Sequence, residues 1–181
     1  MMNELSVQEL TQELNDTVKK FNSGNWYLDN FIKCKAAFDE NIGKTYLLLS
    51  NNLRTLVGYY NITAGSLEII DSGIHVKIGG CVHLNCFAVD KYFQKRVERK
   101  LDNNARIYTS DLLLMDCVKR AKNIRKETLG VSFMTLNSTK EGERLYMRHN
   151  FQHLEEDMFF AREESDLKCV QMYLPLGLNE L

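Results

Sequence analysis

Two stretches of this 181-residue chain carry residues whose types and spacing could do chemistry. The first, Cys81-Val82-His83-Leu84-Asn85-Cys86, holds three zinc-ligand types within six residues. On an extended strand, however, positions 81 and 83 share a face and 86 points the other way, so the three cannot converge without a bulge. Buried strand residues, and no metal, are the expectation. The second stretch, 91–106, sets Lys91, Lys95, Arg96, Arg99, Lys100 and Arg106 against Glu98 and Asp102. By itself such a run is usually a solvated surface loop, and no glycine occurs between Gly80 and Gly130.

The elements that must position these residues follow from periodicity. Residues 6–20 place Val7, Leu10, Leu14 and Val18 at spacings of three or four, which predicts an amphipathic helix, with a short strand at the very start as the competing reading. The cluster Phe21-Asn22-Ser23-Gly24-Asn25 is a turn, and Asn25 is a helix N-cap type. A second helix is predicted over 26–40, with Leu28, Phe31, Ile32 and Phe38 on one face. Branched and aromatic runs then predict strands at 44–50 and 56–63, joined as a hairpin through Asn51-Asn52, and a third at 81–89, with 64–80 irregular or partly extended. A helix from Thr109 or Ser110 to Arg125, a buried strand at 129–136, a helix at 139–149 closed by Asn150, and strands at 151–161 and 168–174, the last stopped by Pro175, complete the order. This is a single α/β domain, residues 1–181, around a mixed, mostly antiparallel sheet flanked by helices.

Composition narrows the class further. Lys and Arg total 23 against 24 Asp and Glu, so the surface as a whole is no nucleic-acid footprint, although a local basic patch is compatible. The five cysteines, Cys34, Cys81, Cys86, Cys117 and Cys169, are odd in number and scattered, which suits free thiols in a reducing compartment. The start reads Met1-Met2-Asn3-Glu4-Leu5, unlike a secretory leader, and no apolar run reaches the length of a membrane span. A cytoplasmic protein with no membrane partner is therefore expected.

The succession Cys86-Phe87-Ala88-Val89-Asp90, Tyr92-Phe93-Gln94, a helix, Leu136-Asn137 and Arg144-Leu145-Tyr146-Met147-Arg148-His149-Asn150-Phe151 resembles the GNAT superfamily of acetyl-CoA-dependent N-acetyltransferases. Phe21-Asn22-Ser23-Gly24-Asn25 with Leu28-Asp29 and Phe31, then Lys44-Thr45-Tyr46-Leu47, Val57-Gly58-Tyr59-Tyr60 and Ala64-Gly65-Ser66, resemble the branch that includes acetyltransferase toxins of toxin–antitoxin pairs. The matches spread over roughly residues 20–155, and their order carries more weight than any one of them. The resemblance implies a cleft where the strand of 86–89 splays from that of 129–136. There the backbone of Phe87, Ala88 and Val89 would bond the pantetheine of acetyl-CoA as an added strand would. It also implies Tyr146 as the general acid that protonates the departing thiolate, and Asn137 as a residue that orients cofactor or water.

This chain departs from the superfamily at the pyrophosphate loop. In register from Gln94 the glycine positions are Val97 and Arg99, and the segment is about ten residues longer than such a loop requires. Phosphates would then fall to side chains: Lys95, Arg96, Arg99 or Arg106, with the hydroxyls of Thr109 and Ser110 at the helix start, while Asn103 and Asn104 supply left-handed backbone and Asp111 points away. Alternatively the loop has lost the cofactor, and the domain is a non-catalytic binding or regulatory module. Glu68, His83 and Asp90 are the nearest candidate bases, each with an equally good structural role, and water can take the proton from an amine that arrives neutral. Neither Cys81 nor Cys86 sits in an obvious Cys-His pairing, which favours direct attack in a ternary complex over an acyl-enzyme. The reaction implied is acetyl transfer from acetyl-CoA to a primary amine. Aminoacyl-tRNA is one acceptor, and a homodimer remains open.

Overall fold

The computed structural model describes residues 5–50, 55–102, 104–160 and 169–177. Its strands are β1 (Leu5–Glu9), β2 (Lys44–Ser50), β3 (Thr55–Asp71), β4 (Ile74–Val89), β5 (Val97–Lys100), β6 (Arg106–Tyr108), β7 (Val131–Ser138), β8 (Gln152–His153), β9 (Met158–Phe160) and β10 (Val170–Pro175). Its helices are α1 (Asn15–Val18), α2 (Trp26–Lys33), α3 (Thr109–Glu127) and α4 (Glu143–Arg148), with 3-10 turns at Gln12–Leu14 and Lys35–Phe38. The main sheet runs β1-β2-β3-β4-β7-β10-β8, with β9 beside β3, while β5 and β6 form a separate ribbon. β1 pairs with β2, β2 with β3, β3 with β9, and β10 with both β7 and β8 in antiparallel fashion, whereas β4 runs parallel to β7. The expected mixed, mostly antiparallel α/β sheet is what the chain forms.

Three local expectations are corrected, and a fourth is decided between its two alternatives. Leu5–Glu9 is a strand, not the start of a helix: it pairs Leu5 with Ser50 and Glu9 with Tyr46, so the open edge of β2 wins over the helical spacing, which survives only in α1. The second helix ends at Lys33, because Cys34 is extended at φ −101°, ψ 171°. For residues 64–80 the irregular alternative gives way to the extended one: they continue β3 and β4 to a two-residue turn, Ser72-Gly73, in which both residues have positive φ. The strand foreseen over 151–161 is two short ones, β8 and β9. The Asn51-Asn52 turn and the expected role of Asn103 lie outside the described residues.

By internal packing the chain groups into two compact units. One comprises residues up to 62 together with 86–117. Its core is Val18, Phe21, Phe31, Ile32, Leu47, Leu49, Tyr59, Cys86 and Ala88, where each fully buried large side chain contributes roughly 1.5–3 kcal/mol. Tyr59 organises this core: Phe31 stacks on its ring at 6.1 Å, Phe21 meets it edge-on at 5.4 Å, and its hydroxyl donates to the Leu28 carbonyl at 2.7 Å. The other unit comprises 63–85 and 118 onward, with Leu67, Phe160 and Tyr173 at its centre and Phe133, Leu154 and Met158 packed around them. No helix among the described residues is long and apolar enough to cross a membrane.

Candidate functional site

In the first unit, the end of β4 is held in place by the turn that follows it. Asp90 donates its N–H to the Val57 carbonyl at 2.9 Å, and its carboxylate accepts the N–H groups of Asn22 at 2.9 Å and Tyr92 at 3.0 Å. Asp90 is thus a turn carboxylate with both oxygens committed. Ala88 and Val89 are buried and Phe87 is half-buried beside them. Gly58 on β3 lets this stretch approach, since a Cβ there would stand 2.8 Å from the Ala88 carbonyl oxygen and 3.0 Å from Leu113 Cδ2. A glycine inside an aromatic-rich strand is the sequence signal of such an approach, and it was legible in Val57-Gly58-Tyr59.

Gln94 is exposed, yet its side-chain amide donates to the Ser23 carbonyl at 2.8 Å and the Val89 carbonyl at 2.9 Å. It ties the loop to both β4 and the turn before α2, where Asn25 caps the helix by accepting the Leu28 N–H at 3.2 Å. Lys95 takes the left-handed conformation, φ +62°, that glycine would otherwise supply, and so does Asn104, also at +62°. The extra residues of the segment are the β5–β6 ribbon, in which Lys100 lies opposite Arg106 and Arg99 opposite Ile107.

The start of α3 is closed by its own carboxylates. Asp111, buried in the first turn, accepts the Tyr108 N–H at 2.8 Å, the reciprocal half of a capping box. Glu98 accepts the Thr109 hydroxyl at 2.7 Å and pairs with Arg96 Nε at 3.1 Å, and the Arg96 guanidinium lies over the Phe93 ring at 5.6 Å. Thr109, fully buried, therefore gives its hydroxyl to Glu98, and Arg96 shares that partner, whereas Ser110 is half-buried and Lys95 exposed. Sequence reasoning weighed Glu98 only as a charge offset; nothing in the pattern announced its clasp.

Cys86 bears on covalent chemistry. Burial pushes its thiol up to about 12, although the neighbouring Tyr59 hydroxyl pulls the other way. A thiol held protonated is no nucleophile.

In the second unit, the β4–β7 ladder runs from Gly80–Val131 to Leu84–Leu136, while β7 itself continues to Ser138 against β10. Asn137, at that end of β7, is exposed. His83 is buried, with Nδ1 2.9 Å from the Thr135 hydroxyl, which in turn donates to Cys81 Sγ at 3.3 Å; its ring meets Phe160 at 5.2 Å. Among the described residues no group of His, Cys, Asp and Glu is arranged to hold a metal ion. Glu68 accepts the Ser66 hydroxyl at 3.0 Å and lies 3.8 Å from His75. Tyr146 is buried on α4 with its ring edge-on to Phe151 at 5.6 Å, so the aromatic five residues later fixes the ring. Asn150 ends the helix at φ +65°, and Phe151 N–H returns to the Tyr146 carbonyl at 3.1 Å.

No family model matches the sequence, and no curated protein matches it as a relative. Solved structures do match. One described as a bacterial toxin is 20% identical, with 96% of this chain and 92% of that one covered, at a TM-score of 0.73. The structure of AtaTR bound with AcCoA is 16% identical over 97% of this chain and 95% of that one, at 0.70. AtaT complexed with acetyl-methionyl-tRNAfMet is 19% identical over 87% and 94%, at 0.66. The chain therefore has the fold of these solved structures, the GNAT fold that its sequence resemblance implied.

Proposed function

We propose that the chain is an N-acetyltransferase that moves an acetyl group from acetyl-CoA to a primary amine, and that the amine is the one carried by an aminoacyl-tRNA. The observation that carries this reading is the match, over nearly the whole chain, to neighbours seen with AcCoA and with acetyl-methionyl-tRNAfMet. The backbone of Phe87, Ala88 and Val89 would bond the pantetheine arm of acetyl-CoA as an added strand would. Lys95, Arg96 and Ser110 would hold the phosphates, while the Thr109 hydroxyl is committed to Glu98 and Gln94 holds the loop to β4. Asn137 orients the acyl group or a water.

The neutral amine attacks the thioester carbonyl carbon, a C–N bond forms, and the C–S bond breaks as the tetrahedral intermediate collapses. Tyr146 gives its hydroxyl proton to the departing thiolate, the amine's surplus proton leaves to water, and water returns a proton to the Tyr146 phenolate to complete the cycle. Direct attack is consistent with the protonated Cys86. Unfolding temperature measured with and without acetyl-CoA tests the reading, because a ligand at about 100 times its dissociation constant adds roughly 2.7 kcal/mol. No shift at millimolar acetyl-CoA overturns it in favour of a non-catalytic module. Tyr146→Phe should keep the shift and lower kcat by about 10²–10⁴-fold; if the shift disappears, Tyr146 is structural.

A further inference from the structure

The β5–β6 ribbon carries three exposed cations, Arg99, Lys100 and Arg106, to which the proposed transfer chemistry gives no role. Its strands pair with each other and stand apart from the main sheet. Lys100 lies directly opposite Arg106, a like-charge pair that weakens a two-stranded ribbon by itself. Arg99, Lys100 and Arg106 are all exposed, and among the described residues the Arg96–Glu98 ion pair of this segment leaves them out. Arg99 and Lys100 are consecutive strand residues, so cations project from both faces. A repulsive pair kept at the exposed tip of an inserted element, with positive charge on two faces, fits an extended polyanion.

We infer that the β5–β6 ribbon is the surface on which the phosphodiester backbone of the RNA acceptor docks, with Arg99, Lys100 and Arg106 as its contacts. This rests on the aminoacyl-tRNA reading above, and it separates these three residues from the cofactor phosphates assigned to Lys95, Arg96 and Ser110. Docking of this kind releases counterions, so each lost contact lowers the salt slope of binding by about 0.7–0.9.

The test compares wild type with Arg99→Gln/Lys100→Gln/Arg106→Gln and with the charge-keeping Arg99→Lys/Arg106→Lys. Each is assayed on charged tRNA and on a minimal acceptor, an amino acid esterified to a single adenosine. The triple glutamine variant should raise KM for tRNA at least tenfold and reduce the slope of log KM against log salt by about two to three. It should leave KM for acetyl-CoA and turnover of the minimal acceptor unchanged, while the charge-keeping variant stays close to wild type. An unchanged tRNA KM overturns the inference. So does a rise in acetyl-CoA KM, which would give the ribbon to the cofactor. If wild type acetylates neither acceptor, the transferase reading has failed and the ribbon is read separately, by fluorescence anisotropy of labelled uncharged tRNA. Salt-sensitive binding lost in the triple variant then supports the surface; no binding, or binding the variant retains, overturns it.

Discussion

Gly58→Ala probes the contact on which the cofactor strand depends. The new methyl would stand 2.8 Å from the Ala88 carbonyl oxygen and 3.0 Å from Leu113 Cδ2. Leu113 can rotate aside, but the carbonyl belongs to the backbone of β4 and must travel about 0.6 Å to restore an ordinary 3.4 Å contact. Overpacking of this kind costs about 1–3 kcal/mol, partly offset by the roughly 0.4–1 kcal/mol gained when glycine freedom is removed from the unfolded chain. A net loss of about 1–2 kcal/mol lowers Tm by roughly 2–8 °C for a chain of this length. Gly80→Ala is the matched control: it too sits in a strand without positive φ, and its added methyl meets nothing closer than 3.5 Å. That variant should match wild type or gain up to about 1 kcal/mol. Urea unfolding of the pair measures the difference, and steady-state kinetics should show a raised acetyl-CoA KM in Gly58→Ala alone. Equal stabilities, or a Gly58→Ala more stable than Gly80→Ala, would refute the argument from close approach.

Glu98→Gln removes the carboxylate that clasps Arg96 and Thr109, so acetyl-CoA should bind a few-fold tighter by calorimetry; weaker binding would mean that the clasp positions the site rather than competing for it. Burial raises the Cys86 thiol from 9.0 to about 12, so between those pH values the unfolded chain binds fewer protons than the folded one and stability falls as pH rises. The contribution approaches 1.4 kcal/mol per pH unit, with Tyr59, raised by the same burial, adding to it above pH 10; Cys86→Ala should flatten the decline in a pH series of urea unfolding. Asn150→Ala should cost about 1–2 kcal/mol because φ is +65°, whereas Asn150→Gly should be nearly neutral by the same measurement.

Where the sequence spoke clearly, its signal was local. The bounds of β2 at Lys44–Ser50, the cap at Asn25, the start of α3 at Thr109 and the left-handed Asn104 and Asn150 could all be read from residue type and alternation. The failures have tertiary causes. Leu5 and Val7 fit a strand as well as Val7, Leu10, Leu14 and Val18 fit a helix, and the free edge of β2 decides between them. Residues 64–80 mix Gly65, Gly73, Gly79 and Gly80 with charges, which blurs the alternation of two strands that run almost to their turn without a break. The β5–β6 ribbon is a separate two-stranded sheet whose residues Val97-Glu98-Arg99-Lys100 show no apolar alternation to detect. For the candidate site, motif order pointed to Gln94 and Tyr146, but side-chain commitments such as Glu98 to Thr109, or Asp90 to two backbone amides, follow only from coordinates.

The parallel joint between β4 and β7 also sets a schedule for folding. Gly80 meets Val131, 51 residues along the chain, whereas the turn Ser72-Gly73 folds β4 back on β3 with almost no intervening loop. Closing the longer loop costs more chain entropy before any contact rewards it, so topology puts this ladder among the last structures to form. In pulse-labelled hydrogen exchange during refolding, amides near the β3–β4 turn should gain protection first, those of 81–84 later, and those of 158–160, whose strand pairs with Leu67–Ile69, last. A nascent chain halted before Val131 would therefore hold β4 with one neighbour only, its second edge open to any competing strand until β7 arrives.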